Sequence, residues 1–242
     1  MRKSIAAAII AATALTSACN GGRSENAGPT VSRNYQIGNF HQIEVAGPYD
    51  VEVRTGANPG VSARGSQKLL EHTTVEVQGD KLVIHPQESH GFFHFGWSHN
   101  GNASFVVTVP QLTGAAIAGS GGIKVNQVSA DSFEGSVAGS GDLDVASLDV
   151  KSLKLSIAGS GGVKTGAGKA ANADYEIAGS GDIDAGAVTS QQLKVSIAGS
   201  GNVKAHATGA AEVDILGSGD AEITGGAKCS VSKTGSGDAH CS

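Results

Sequence analysis

The sequence predicts an all-β solenoid, a single-stranded parallel β-helix with coils of about 20 residues, and three observations carry that expectation. The triplet Gly-Ser-Gly occurs seven times, beginning at Gly119, Gly139, Gly159, Gly179, Gly199, Gly217 and Gly235, so the spacing is 20 residues four times and then 18 twice. So strict a period means stacked structural units, each unable to bury its apolar face alone. Apolar residues also alternate with polar ones on both sides of each triplet, as with Leu155 and Ile157 before Gly159 and Val163 and Thr165 after it. Period-2 alternation around a tight glycine turn argues a strand, a corner and a second strand, each with one buried face. Finally, 36 glycines and only 4% aromatic residues suit a narrow core of Ile, Val and Ala. Within the repeat, the period and the glycines exclude helix.

The outward positions carry a second pattern. Five residues after the first Gly of each triplet stand Lys124, Asp144, Lys164, Asp184, Lys204, Glu222 and His240. Five residues before it stand Glu134, Lys154, Asp174, Lys194 and Glu212. Both rows alternate in sign, so in-register stacking places each charge between opposite ones, and a cross-strand pair of this kind contributes roughly 0.2–1 kcal/mol.

Taken in order, the chain opens with an export signal at residues 1–18. Arg2 and Lys3 precede an apolar run from Ile5 to Leu15, too short to span a bilayer, and then Thr16-Ser17-Ala18. Cys19 follows these small residues in a pattern that resembles the lipobox of bacterial lipoproteins, with Thr16 where a Leu is usual. Acylation at Cys19 is the expectation, and ordinary cleavage after Ala18 is its rival. Cysteine arithmetic favours acylation. Cys229 and Cys241 lie six residues on either side of Gly235, both in core-facing phase, so a disulfide between them leaves Cys19 as the odd thiol. Residues 19–34 read as a flexible polar tether.

Residues 35–112 read as degenerate early coils. Ile43 and Val45 before Gly47, with Val51 and Val53 after it, repeat the offsets of the later coils, and Val75, Val77 and Val83 do the same around Gly79. A separate small β-sandwich is the alternative for this part. Residues 113–242 are then the regular β-helix.

The run from Phe40 to Val53, FHQIEVAGPYDVEV, then Val107-Thr108-Val109-Pro110-Gln111-Leu112 and the glycine triplets, resembles the bacterial family labelled putative auto-transporter adhesin, head GIN domain. The resemblance covers roughly residues 35–240. It implies an exported, often lipid-anchored protein with a β-helical body, and it carries no catalytic residues with it.

Chemical motifs lead nowhere specific. The triplet in Ala118-Gly119-Ser120-Gly121 recurs too often for a nucleophile elbow and lacks a strand-to-helix turn. Gly166-Ala167-Gly168-Lys169-Ala170 lacks the spacing and the hydroxyl of a phosphate loop. Asp142, Asp182, Asp220 and Asp238 follow triplets, but the nonapeptide spacing of calcium-binding β-rolls is missing, so they read as turn residues. The net charge is −5, and two units lower once Arg2 and Lys3 leave with the leader, which argues against nucleic acid. No cofactor is expected.

Two function classes remain. One is a non-catalytic interaction or adhesion module of the cell envelope, held to the outer membrane or in the periplasm by its lipid and facing an envelope protein or glycan. The other is a polysaccharide lyase or hydrolase, an analogy of fold alone. An enzyme of that kind needs converging acids and aromatic subsites, whereas Phe133 and Tyr175 are the only aromatics after residue 110 and both are in core phase. The interaction module is the expectation. Its candidate surface is the loop 85–102, which holds His90, Phe92, Phe93, His94, Phe95, Trp97 and His99. These rings either fold back to cap the open core or form a tip that docks a partner or membrane. The histidine spacing admits zinc or copper, but neither a Cys nor a close carboxylate pair fixes such a site, so none is assigned.

Overall fold

The computed structural model describes residues 29–87 and 103–242. A parallel β-solenoid with coils of about 20 residues forms the body, and its seven triplet corners bound about six turns. Strands β8 (Gly114–Gly119), β9 (Gly122–Val125), β10 (Val128–Ser129) and β11 (Ser132–Gly139) make one coil. Each later coil runs as nearly continuous strand: β12 (Asp142–Gly159), β13 (Gly162–Gly179), β14 (Asp182–Gly199) and β15 (Val203–Gly217). The end is formed by β16 (Ala221–Thr224), β17 (Lys228–Gly235) and β18 (Ala239–Cys241). Pairing is parallel and in register, with Ile157 beside Ile177 and Gly159 beside Gly179.

Every coil has three faces where the alternation around the triplet predicted two strands. In β12 the buried residues are Leu143 and Val145, then Leu148 and Val150, then Leu153, Leu155 and Ile157. Between these groups two successive residues point outward, Ala146 with Ser147 and Lys151 with Ser152. Each such pair breaks the period of two and turns the chain. The core is thus a triangular prism of stacked aliphatic columns, Val137, Ile157, Ile177, Ile197 and Ile215 forming one of them.

Core volume is conserved within coils. Tyr175, 1% exposed, shares its coil with Gly168, Ala170 and Ala173. Phe133 stands beside Gly135, where a Cβ would come within 2.7 Å of the Leu143 side chain and 3.0 Å of that of Leu155. Close packing requires this trade of large against small.

The Gly-Ser-Gly corner has no room for side chains. The first glycine has positive φ, 128° at Gly139, and a Cβ there would strike the Gly119 carbonyl oxygen. At the third position a Cβ on Gly141 would strike the Gly121 carbonyl and come within 2.7 Å of Ile117 Cγ2. This approach lets the amides of Ser140 and Gly141 donate to the Gly119 carbonyl at 2.9 and 3.0 Å, a pattern repeated up the corner.

The N-terminal part mixes coils with antiparallel strands and includes α1. Strands β2 (Gln42–Ala46) and β3 (Asp50–Thr55) form a true coil under β8 and β9, and Gly47-Pro48-Tyr49 is its corner. The second early coil is different from expectation. Around Gly79, β5 (Thr73–Gln78) and β6 (Lys81–Pro86) pair antiparallel, so this glycine, with φ 64°, closes a hairpin. A β6–β7 layer, with β7 at Ala103–Val109, then lies beneath β2 and β3. In space the layer of β6 and β7 therefore precedes the layer of β2 and β3, though it follows in sequence.

The base is closed by β4 (Gly60–Ser66), antiparallel to β7, and by β1 (Thr30–Tyr35), antiparallel to β4. Strand β1 begins inside the span expected to be tether, because Val31 and Tyr35 pack on the core. Helix α1 (Gln67–Glu71) buries Leu69 and Leu70, and the Arg33 guanidinium donates to the Leu70 carbonyl at 2.9 Å. Tyr49 is buried from the corner into this base. Its hydroxyl lies 3.1 Å from Thr73 Oγ1, its ring meets Phe105 edge-on, and desolvation raises its pKa.

At the other end Cys229 and Cys241 form the expected disulfide, joining the columns of Ala211 and Ile223. Reduction, or Cys229→Ser, should cost roughly 3 kcal/mol, seen as a lower melting temperature of the oxidised wild type on adding reductant and no such change in the variant. Gly181→Ala should destabilise by about 1–3 kcal/mol or more, since its Cβ would strike the Gly161 carbonyl and come within 2.7 Å of Ile157 Cγ2. Gly186→Ala, with its nearest atoms 3.8 and 4.0 Å away, should be neutral or slightly stabilising in the same melting experiment.

Candidate functional site

Cys19 and the loop residues His90, Phe92, Phe93, His94, Phe95, Trp97 and His99 lie outside the described residues. Strand β6 pairs with β2 as far as Ile84 beside Val45, and β7 pairs with β3 from Ser104 beside Asp50, on the two sides of the Gly47-Pro48-Tyr49 corner. His85, at the edge of this region, holds Nδ1 2.8 Å from the Pro86 carbonyl and Nε2 3.5 Å from Glu76.

The expected charge rows are in register. Lys124, Asp144, Lys164, Asp184, Lys204, Glu222 and His240 face one another in succession, and Glu52 extends the row at the base. Lys204 and Glu222 come to 4.0 Å. In the second row Lys154 turns 3.2 Å toward Glu176, which does most to raise its pKa, and its register neighbours Asp174 and Glu134 add to the effect. A third face, not foreseen, pairs Asp131 with Lys151 at 2.7 Å and Asp149 with Lys169 at 3.3 Å.

The aspartates after the triplets bond between coils. Asp182 Oδ1 accepts from the Asn202 amide at 3.0 Å, Asn202 Oδ1 from the Asp220 amide at 3.3 Å, and Asp220 Oδ1 from the Asp238 amide at 2.8 Å. They staple the upper coils together, from Asp182 to Asp238. Among the described residues no group of three or more His, Cys, Asp or Glu side chains is arranged to hold a metal ion.

Two shallow grooves run along the prism. One, of about 720 Å³, is lined by the Ser and Ala columns before the triplets, for example Ser156, Ala158, Ser196 and Ala198, and reaches Leu216, which is 61% exposed. The other, of about 930 Å³, is polar and follows the Asp131–Lys151 and Asp149–Lys169 face. The carboxylates with displaced ionisation, Glu52, Glu76, Asp131 and Asp238, are all held below their usual range. The largest cause in each is a side-chain hydrogen bond, from Arg54, Gln78, Lys151 and Lys233 respectively.

Residues 39–227 match the family described as putative auto-transporter adhesin, head GIN domain. The chain belongs to this family. Its description is of an adhesin, not of an enzyme. Solved structures share the fold. A putative adhesin from Bacteroides fragilis is 22% identical over 88% of this chain and 97% of its own, with a TM-score of 0.79. A protein from Parabacteroides distasonis described as a putative lipid binding protein is 23% identical over 89% and 97%, with a TM-score of 0.69. A putative adhesin from Parabacteroides merdae gives 20%, 89%, 97% and 0.69. No curated protein sequence matches the chain.

Lys164→Glu places an acid between Asp144 and Asp184 and should destabilise by about 1 kcal/mol, less at high salt. Lys228→Glu, beside Ala210, should leave the melting temperature nearly unchanged.

Proposed function

We propose that the protein is an exported cell-envelope module, lipid-anchored at Cys19, that works by binding an envelope protein or glycan and not by catalysis. The observation that carries this reading is membership of the adhesin family over residues 39–227. The in-register rows of charge along the stack, with Lys124, Asp144, Lys164 and Asp184 in succession, support it by presenting charged groups at regular intervals.

The anchor has its own support in the sequence. A basic start, a short apolar run and small residues before Cys19 suit processing at that position, and the Cys229–Cys241 disulfide leaves Cys19 without a partner. The segment from His90 to His99, rich in aromatic rings and histidines, is the proposed contact tip.

Two measurements test this. In a bacterial host the wild type should incorporate labelled fatty acid and partition into detergent, and Cys19→Ser should do neither; identical soluble behaviour of both overturns the anchor. The processed protein, incubated with envelope polysaccharides and envelope protein extracts, should retain a ligand without turnover. Release of new reducing ends or unsaturated sugars would overturn the non-catalytic reading in favour of the polysaccharide enzyme.

A further inference from the structure

The C-terminal layer departs from the columns beneath it at one position. Ile157, Ile177, Ile197 and Ile215 are followed in the same register by Lys233. A lysine stands where every register neighbour below it, from Ile117 and Val137 to Ile215, is aliphatic, and its ammonium makes two bonds. Lys233 Nζ donates to Asp238 Oδ1 at 3.0 Å and to the Gly237 carbonyl at 3.4 Å.

Those two acceptors have a defined use in the coils below. The third glycine of a triplet offers its carbonyl to the coil above: Gly121 to the Asp142 amide, Gly141 to the Gly162 amide, Gly161 to the Asp182 amide, at 3.1–3.3 Å. The Asx residue after the triplet does the same with its side chain, as Asp182, Asn202 and Asp220 do. Lys233 therefore occupies, with one charged group, both acceptors through which this corner would bind another layer.

The remainder of the end is open to pairing. Strand β17 pairs with β15 and β18 with β16, each on its inner side. Val231 continues the column of Leu155, Tyr175, Val195 and Val213, yet it is 44% exposed, and among the described residues no strand pairs with β17 on its outer side. An edge with free backbone groups and an exposed core residue is a template for another chain, and an inward-pointing lysine is a known way to spoil it. The opposite end of the stack is closed by β1, β4 and α1 instead.

We propose that the last layer is a terminator in which Lys233 blocks pairing of the β17 edge with a second copy of this chain. The charge must be desolvated, and its bonds to Gly237 and Asp238 broken, before a second copy can seat on Val231. The Cys229–Cys241 bridge joins the two strands of that layer. This proposal is independent of the binding role and of the lipid anchor.

The test compares sedimentation of the disulfide-bonded protein, processed after residue 18 with Cys19→Ser throughout, across a range of concentrations. Lys233→Ile restores the aliphatic column and should raise the weight-average mass at least twofold relative to Lys233 protein at the same concentration. Adding Val231→Lys to Lys233→Ile should return the mass to that of the Lys233 protein, since it puts a charge back on the same edge. Melting curves keep the readout on association, because each variant should remain folded. A folded Lys233→Ile protein with unchanged mass overturns the proposal, and so does association that survives Val231→Lys.

Discussion

The structure depends on backbone touching backbone at one corner. At each glycine triplet the carbonyl of one coil occupies the space that a Cβ of the next would need, as between Gly119 and Gly139 or Gly121 and Gly141. Contact this close holds successive coils at a single height and rotation, and the ladder of Ser and Gly amides on the carbonyl below fixes the register. Everything outward follows from that. The charge rows alternate usefully because Lys164 cannot slide away from Asp144 and Asp184, and the Asx staples reach because Asp220 always lies over Asn202.

A stack locked in this way has a surface that is largely committed to itself. Lysines face acids in the neighbouring coils, as Lys151 does Asp131 and Lys169 does Asp149. The described surface thus repeats its charges and hydrogen-bonding groups at the interval of the coils.

The body of the fold was legible in the sequence because its period is carried by glycines that nothing else can replace. The disulfide was legible for the same reason, since phase relative to Gly235 put both cysteines inward. The third face was not. Its corners, at Ala146-Ser147 and Lys151-Ser152, are two ordinary outward residues in succession and carry no turn residue to announce them. Gly79 was misread because a positive-φ glycine between alternating strands serves a hairpin and a coil corner equally well, and only the partner strand distinguishes them. Helix α1 is five residues held by Leu69 and Leu70 against the base, a tertiary effect with no period of its own. The candidate interaction loop is a reading of composition alone, and its residues lie outside those described.

The inverted order of the first layers has a kinetic consequence. Strand β2 lies between β6 and β8, and β3 between β7 and β9, so the earliest coil in the chain is an inner layer in space. The bond from the Thr113 hydroxyl to the His41 carbonyl closes a separation of 72 residues, whereas the Asn202 amide reaches Asp182 across only 20. Assembly of the base is therefore a nucleation event that must wait for distant chain and bears most of the loop-closure entropy. Once it exists, each new coil meets a finished template and adds by short-range zippering. Substitutions in the base should then govern how fast the protein folds, and substitutions in the upper coils how fast it frays.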